Sequence, residues 1–332
     1  DTIIIGKKIG TLGLAAVGGT EWLIFLANGV IIGLVQGFCI LLGNSFGEGN
    51  EREFEVYYAR AKKICLVLAI ALTIFFFFVS GPILHLLGTK DEVYAMAQKY
   101  INIIFLGIPF LVFYQLFSGA LRSRGNSRIP LLAMTVSSLC NIVLDILFVN
   151  ILEFGIAGAA LGTIASECVV MLICGYHYNK EREKVNNLIT VANEKIVTFK
   201  LIQMGIPIAL QSVITSIGGL IVVNRINQYD ITFLAGYAAA VKLYGLLEIA
   251  ASSFGLAVVA YVAQNYGASK MDRIVKGIRA SLLMGTIVAV VCSGVMIFGG
   301  KDILRLFIEA SDTTEKMLVY GYRFLRILAV FF

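Results

Sequence analysis

Residues 129–151 read IPLLAMTVSSLCNIVLDILFVNI, an apolar run whose single formal charge is Asp145. As a helix such a run is long enough to cross the ~30 Å hydrocarbon core of a bilayer. Asn141 and Asp145 are four residues apart, so a helix turns both to one face. A carboxyl group at that depth is costly unless it meets a cavity or a partner, which makes it a functional-site candidate. The plainer alternative is a protonated acid that hydrogen-bonds a neighbouring helix.

The rest of the chain is of the same kind. It is 58% hydrophobic and 14% charged, against about 25% charged in soluble domains. Comparable runs recur along the whole length and are continuous rather than alternating, which predicts an all-α polytopic membrane protein and excludes a transmembrane β-barrel. The net charge of +6 lies mainly in short loops, so topology explains it better than nucleic acid does. The six cysteines (39, 65, 140, 168, 174 and 292) all sit in apolar runs without metal-type spacing, and neither a disulfide nor a redox role is expected.

Outward from 129–151 the runs mark successive spans. Residues 1–11 read as a span end and an outer loop holding Lys7 and Lys8. A second span covers about Leu12–Leu42, with Gly29, Gly33 and Gly37 at a four-residue spacing that admits a close helix neighbour. A charged loop, 43–63, leads to a third span at Ile64–Leu87, and a polar loop, 90–99, to a fourth at Tyr100–Leu121 kinked by Pro109. A sixth span follows at Gly155–His177. Later spans begin near Leu201, Phe233, Ile278 and Thr313. Basic residues number four in 48–63, three in 122–128, five in 180–200 and four in 270–279. The loop around Glu153 has none, so the basic set is expected on the cytoplasmic side of the cell (inner or plasma) membrane.

One offset of 220 residues superposes Leu14-Ala15 on Leu234-Ala235, Phe46-Gly47 on Tyr266-Gly267, Ile83-Leu84 on Ile303-Leu304 and Tyr100 on Tyr320. A constant offset over that length indicates a duplicated helical unit with both copies in the same orientation. The expectation is two six-helix lobes: 1–184 as the N-terminal lobe, 185–200 as a cytoplasmic linker, and 201–332 as an incomplete C-terminal lobe. By the same repeat, the first span is cut and two to three spans would follow.

Several segments in order resemble the multidrug and toxin extrusion (MATE) transporters: Asp1-Thr2 with Gly6; Leu14-Ala15-Ala16-Val17-Gly18; Ala120-Leu121-Arg122 with Gly125-Asn126 and Pro130; Asn141-Ile142-Val143-Leu144-Asp145; Gly155-Ile156-Ala157-Gly158-Ala159-Ala160 with Thr163; and Ala263-Gln264-Asn265-Tyr266-Gly267-Ala268. The resemblance implies an antiporter that exports organic, often cationic and aromatic, compounds in exchange for Na⁺ or H⁺, with no cofactor beyond the coupling ion. It places the cation site on Asp1, Asn141, Asp145 and Thr163. Two carboxylates, an amide oxygen and a hydroxyl are hard oxygen donors suited to a small cation. The same acids, buried together, could take up a proton instead, so the donor set alone does not choose.

Glu167, one turn after Thr163, departs from the Gln expected in many relatives; it could extend the site, pair with a base or stay neutral. Glu21 and Glu248 lie in repeat-related spans and could attract a cationic substrate, with an interfacial acid the equal alternative for Glu21. Gln36, Gln115 and Gln211 read as inter-helix hydrogen bonds or cavity lining. No metal cluster, His pair or Ser/His/Asp set suggests an enzyme. The competing transport function is a flippase for a lipid-linked or amphiphilic precursor, which would want more cavity bases than Lys242. The expected partners are a small organic substrate and the lipid bilayer, with the protein monomeric and no nucleic acid bound.

Overall fold

The computed structural model describes residues 2–9, 11–89, 91–182, 194–226, 229, 231–305 and 314–330. Among them the regular structure is helical throughout. In order the helices are α1 (Thr2–Ile9), α2 (Thr11–Gly47), α3 (Glu51–Leu86), α4 (Asp91–Leu106), α5 (Ile108–Ser123), α6 (Arg128–Asp145), α7 (Ile156–Arg182), α8 (Glu194–Ile226), α9 (Ile231–Gly267), α10 (Met271–Gly294), α11 (Gly300–Leu304) and α12 (Thr314–Val330). A π-helical turn, Ile146–Ile151, continues α6, and another, Val295–Gly299, continues α10. Six described helices are long and apolar enough to cross a membrane, seven if the bent α4–α5 pair is one span.

The duplication is visible in the helices themselves. Helices α2 and α9 are both 37 residues long and both begin and end 220 residues apart. The turn that follows each has the same backbone bonds: Gly49 N to Phe46 O and Asn50 N to Ser45 O in the first copy, Ser269 N to Tyr266 O and Lys270 N to Asn265 O in the second.

Three loop expectations are corrected. Lys8 belongs to α1 rather than to a loop. Residues 51–63 are the first turns of α3, started by Asn50, whose side chain accepts from the Glu53 amide at 3.1 Å. Residues 91–99 are the first turns of α4. Hydropathy reports depth in the membrane, and helices run on past that boundary wherever polar ends reach water. The break predicted at Pro109 occurs two residues earlier, at Gly107, with a bend of 42° between α4 and α5.

Contacts divide the chain into two units, Asp1–Gly219 and Leu220–Phe332. That division falls inside α8, whereas the expected lobe boundary, 185–200, follows chain connectivity and lies largely outside the described residues. The first unit is built on buried Leu23, Ile31, Phe38, Phe54, Ile101 and Leu116. Most of α8 belongs to it through α2. A Cβ at Gly29 would lie 2.9 Å from Ser212 Cβ, one at Gly33 2.6 Å from Ala209 Cα, and one at Gly37 would land on Gly205. The glycine spacing read from the sequence is therefore a helix seam. The second unit packs α9, α10, α11 and α12 around Leu243, Met296, Leu304, Leu318 and Leu325.

At one end of the first unit, Glu55 is 1% exposed and is held by three donors: Arg182 Nε at 2.6 Å, Arg124 Nη2 at 3.0 Å and Tyr178 Oη at 3.2 Å. Arg124 also reaches Glu51 at 2.9 Å and stacks over Phe54. This cluster ties α3 and α7 to Arg124, just past the end of α5. The tetraphenylalanine run 75–78 turns Phe76 inward against Phe105 and the other three rings outward, as lipid contact requires.

Candidate functional site

Along α6 the polar residues Ser137, Asn141 and Asp145 recur every fourth position and face α7, while Ile142 and Val143 point outward. Ser137 Oγ donates to the Ser166 carbonyl at 2.6 Å. Two turns further on, Asp145 is fully buried, and its Oδ1 sits where a Cβ on Gly162 would be. Further still, Gly158 closes on the Phe148 backbone, with a Cβ there only 2.9 Å from its carbonyl carbon. Small residues at 158 and 162 thus let α7 approach near enough to wall in the carboxyl group. The residue following Gly162 is Thr163, whose hydroxyl donates to Ala159 O at 3.1 Å.

The seam therefore sets Asp145, one turn after Asn141 on α6, against Gly162, the residue before Thr163 on α7. Asn141 Nδ2 is buried and has no hydrogen-bond partner among the described residues. Asp1, the fourth expected ligand, lies outside the described residues. Directly after Asp145 the helix widens into the π turn, in which Leu152 N bonds Leu147 O at 2.9 Å. Such turns recur at functional sites because they displace one residue from the regular register.

A tyrosine that the sequence reading passed over links the other acids. The buried Tyr100 phenol of α4 lies within electrostatic reach of Asp145, Glu21 and Glu167. Glu167 stands on α7 one turn beyond Thr163. A Cβ on Gly107, at the α4–α5 break, would be 3.2 Å from its Oε2. Asp145 on α6 and Glu167 on α7 thus lie on the same helix seam system of the first unit, Asp145 against Gly162 and Glu167 against Gly107. That arrangement attracts cations and offers oxygen donors to a small one. Among the described residues no group of three or more His, Cys, Asp and Glu side chains is placed to hold a metal ion.

The remaining candidates fall elsewhere. Gln36 on α2 and Gln115 on α5 are half-buried, and Gln211 on α8 is exposed. Glu248 is exposed on α9, in the second unit. Nothing described joins these four to the α6–α7 seam. The signal for Gly162 and Gly158 was present in the sequence as a four-residue spacing on the sixth span. Tyr100 carried no such signal, since its place depends on how α4 packs.

Comparison with known proteins agrees with this fold. The sequence model of the MatE family matches residues 1–147 and 207–332. The probable multidrug resistance protein YoeA of Bacillus subtilis (strain 168) is 26% identical over 317 residues, covering 93% of this chain and 68% of that protein. The probable multidrug resistance protein YpnP of the same organism is 28% identical over 332 residues, covering the whole of this chain and 74% of that one. Among solved structures, that of MATE in complex with MaL6 superposes with a TM-score of 0.86 at 21% identity, covering 99% of this chain and 74% of that one.

Proposed function

The chain belongs to the MatE family of multidrug and toxin extrusion transporters, and on that premise we propose that it serves a cation-coupled exporter of small organic, often cationic and aromatic, compounds. The observation that carries the reading is the buried Asp145 carboxyl walled in by Gly162 beside Thr163, with Asn141 one turn away. Na⁺ or H⁺ enters there as the driving ion, held by Asn141, Asp145 and Thr163, with Asp1 as the fourth donor. The cluster of acids around Tyr100 favours a cationic or neutral substrate over an anionic one.

Mechanically, coupling needs only that ion and substrate favour different arrangements of the first unit. Entry of one cation down about 100 mV is worth about 2.3 kcal/mol, which supports a gradient of roughly fifty-fold for a neutral substrate. For a monovalent cationic substrate exchanged one for one the potential cancels, and the ion gradient alone drives export. The protein would reside in the cell membrane with its basic loops in the cytoplasm and act as a monomer.

Ethidium efflux from cells carrying the full-length protein, with Na⁺ varied at fixed pH, tests this in wild type and Asp145→Asn. Na⁺-dependent efflux that the substitution abolishes supports a Na⁺ site at the seam. Loss without Na⁺ dependence assigns the same carboxyl to H⁺. Unchanged, ion-dependent efflux in Asp145→Asn overturns the site.

A further inference from the structure

Glu167 is a half-buried acid inside a span, on α7. Such a group is expensive to keep unless it does something there. Its carboxyl lies against the break between α4 and α5, where the span bends by 42°. At that break Pro109 has no N–H to give the Phe105 carbonyl. The backbone passes through Gly107 by short turns, Gly107 N to Ile104 O and Phe110 N to Gly107 O, both at 2.9 Å. Gly107 is also the first cap of α5 and has no side chain to cap it.

The space a side chain at 107 would fill is already taken. A Cβ there would stand 2.8 Å from Ile164 Cγ1, 3.0 Å from Ile104 O and 3.2 Å from Glu167 Oε2. So α7 sets the Glu167 carboxyl directly against the break.

We propose that Glu167 is a positioning residue that ties the α4–α5 break to the α6–α7 seam, so that a substitution at Asp145 is felt at Gly107. The connection is short. On α7, Gly162 bears on Asp145 and Glu167 bears on Gly107, little more than one helical turn apart. A packed helix shifts as a body, so displacement at one contact reaches the other. This rests on the reading of Asp145 as the ion carboxyl, but it concerns a different residue and a different observable.

Amide hydrogen exchange of the segment 104–111 in the purified full-length protein tests the tie, with wild type, Asp145→Asn, Glu167→Gln and the double variant forming a cycle. Neutralising Asp145 is expected to change exchange there by about threefold or more in the Glu167 background, and by far less in Glu167→Gln. An equal change in both backgrounds, or no change in either, overturns the proposal. If Glu167→Gln does not fold, Glu167→Met removes the same carboxyl at similar length and takes its place in the cycle under the same criteria. Failure of the transport reading shows separately, as efflux indifferent to Asp145→Asn while exchange at 104–111 remains coupled.

Discussion

Gly49 and Ser269 occupy the same position in the two copies of the repeat, and both are left-handed, with φ of +71° and +55°. Each ends the turn after a 37-residue helix. Only the first copy has the residue that adopts this conformation freely. A side chain there costs about 1 kcal/mol. Ser269→Gly is therefore expected to raise stability by up to about 1 kcal/mol and Gly49→Ser to lower it by a similar amount. Thermal unfolding of the purified protein in detergent reads both, and shifts of equal sign would contradict the shared geometry.

Glu55 gives a larger effect for a different reason. It is buried with Arg124 and Arg182 around it, and its removal leaves guanidinium groups without their anion. Glu55→Ala is expected to cost about 3–5 kcal/mol. The exposed pairs made by Glu315, whose side chain is 68% exposed, set the contrast, and Glu315→Ala should leave stability almost unchanged. Comparable losses for the two variants would mean that the Glu55 cluster opens to water.

The sequence revealed what hydrocarbon makes costly. Asp145 stood out because an acid in a span requires a reason, and the Gly29–Gly33–Gly37 row because a missing side chain on a lipid-length helix signals a neighbour. Two kinds of feature were not legible. The helical starts of α3 and α4, through Arg52, Arg60 and Lys99, are hidden by their charge, since hydropathy marks the membrane edge and not the end of hydrogen bonding. The roles of Tyr100 and Gly107, and the π turn after Asp145, arise from which helices meet. Single-chain spacing holds no record of that.

The α2–α8 seam predicts a ranking along one helix. At Gly29 an added methyl would stand 2.9 Å from Ser212 Cβ, the mildest overlap of the three. At Gly33 and Gly37 it meets backbone. Alanine should thus cost least at 29 and about 1–3 kcal/mol at 33 and 37. Gly18, with nothing within 4 Å of its Cβ position, should accept alanine without loss, or gain up to about 1 kcal/mol from helix propensity. Denaturation midpoints of the four variants check the order. Equal tolerance at 18 and 37 would show that α8 does not press on α2.

Gly162 and Gly158 separate function from folding on a single helix. A methyl at Gly158 meets the Phe148 backbone, so Gly158→Ala is expected to destabilise by about 1–3 kcal/mol. At Gly162 the atom in the way is Asp145 Oδ1, the tip of a short side chain that can rotate. Gly162→Ala should leave the fold within about 1 kcal/mol of wild type while turning the carboxyl away from Thr163. The concentration of coupling ion needed for half-maximal efflux should then rise by about tenfold or more, equivalent to about 1.4 kcal/mol of lost binding. The pair of variants is read by thermal unfolding and by ion-dependent efflux in parallel. A Gly162→Ala protein with unchanged ion dependence would show that the carboxyl does not need the place against α7 that the glycine leaves open.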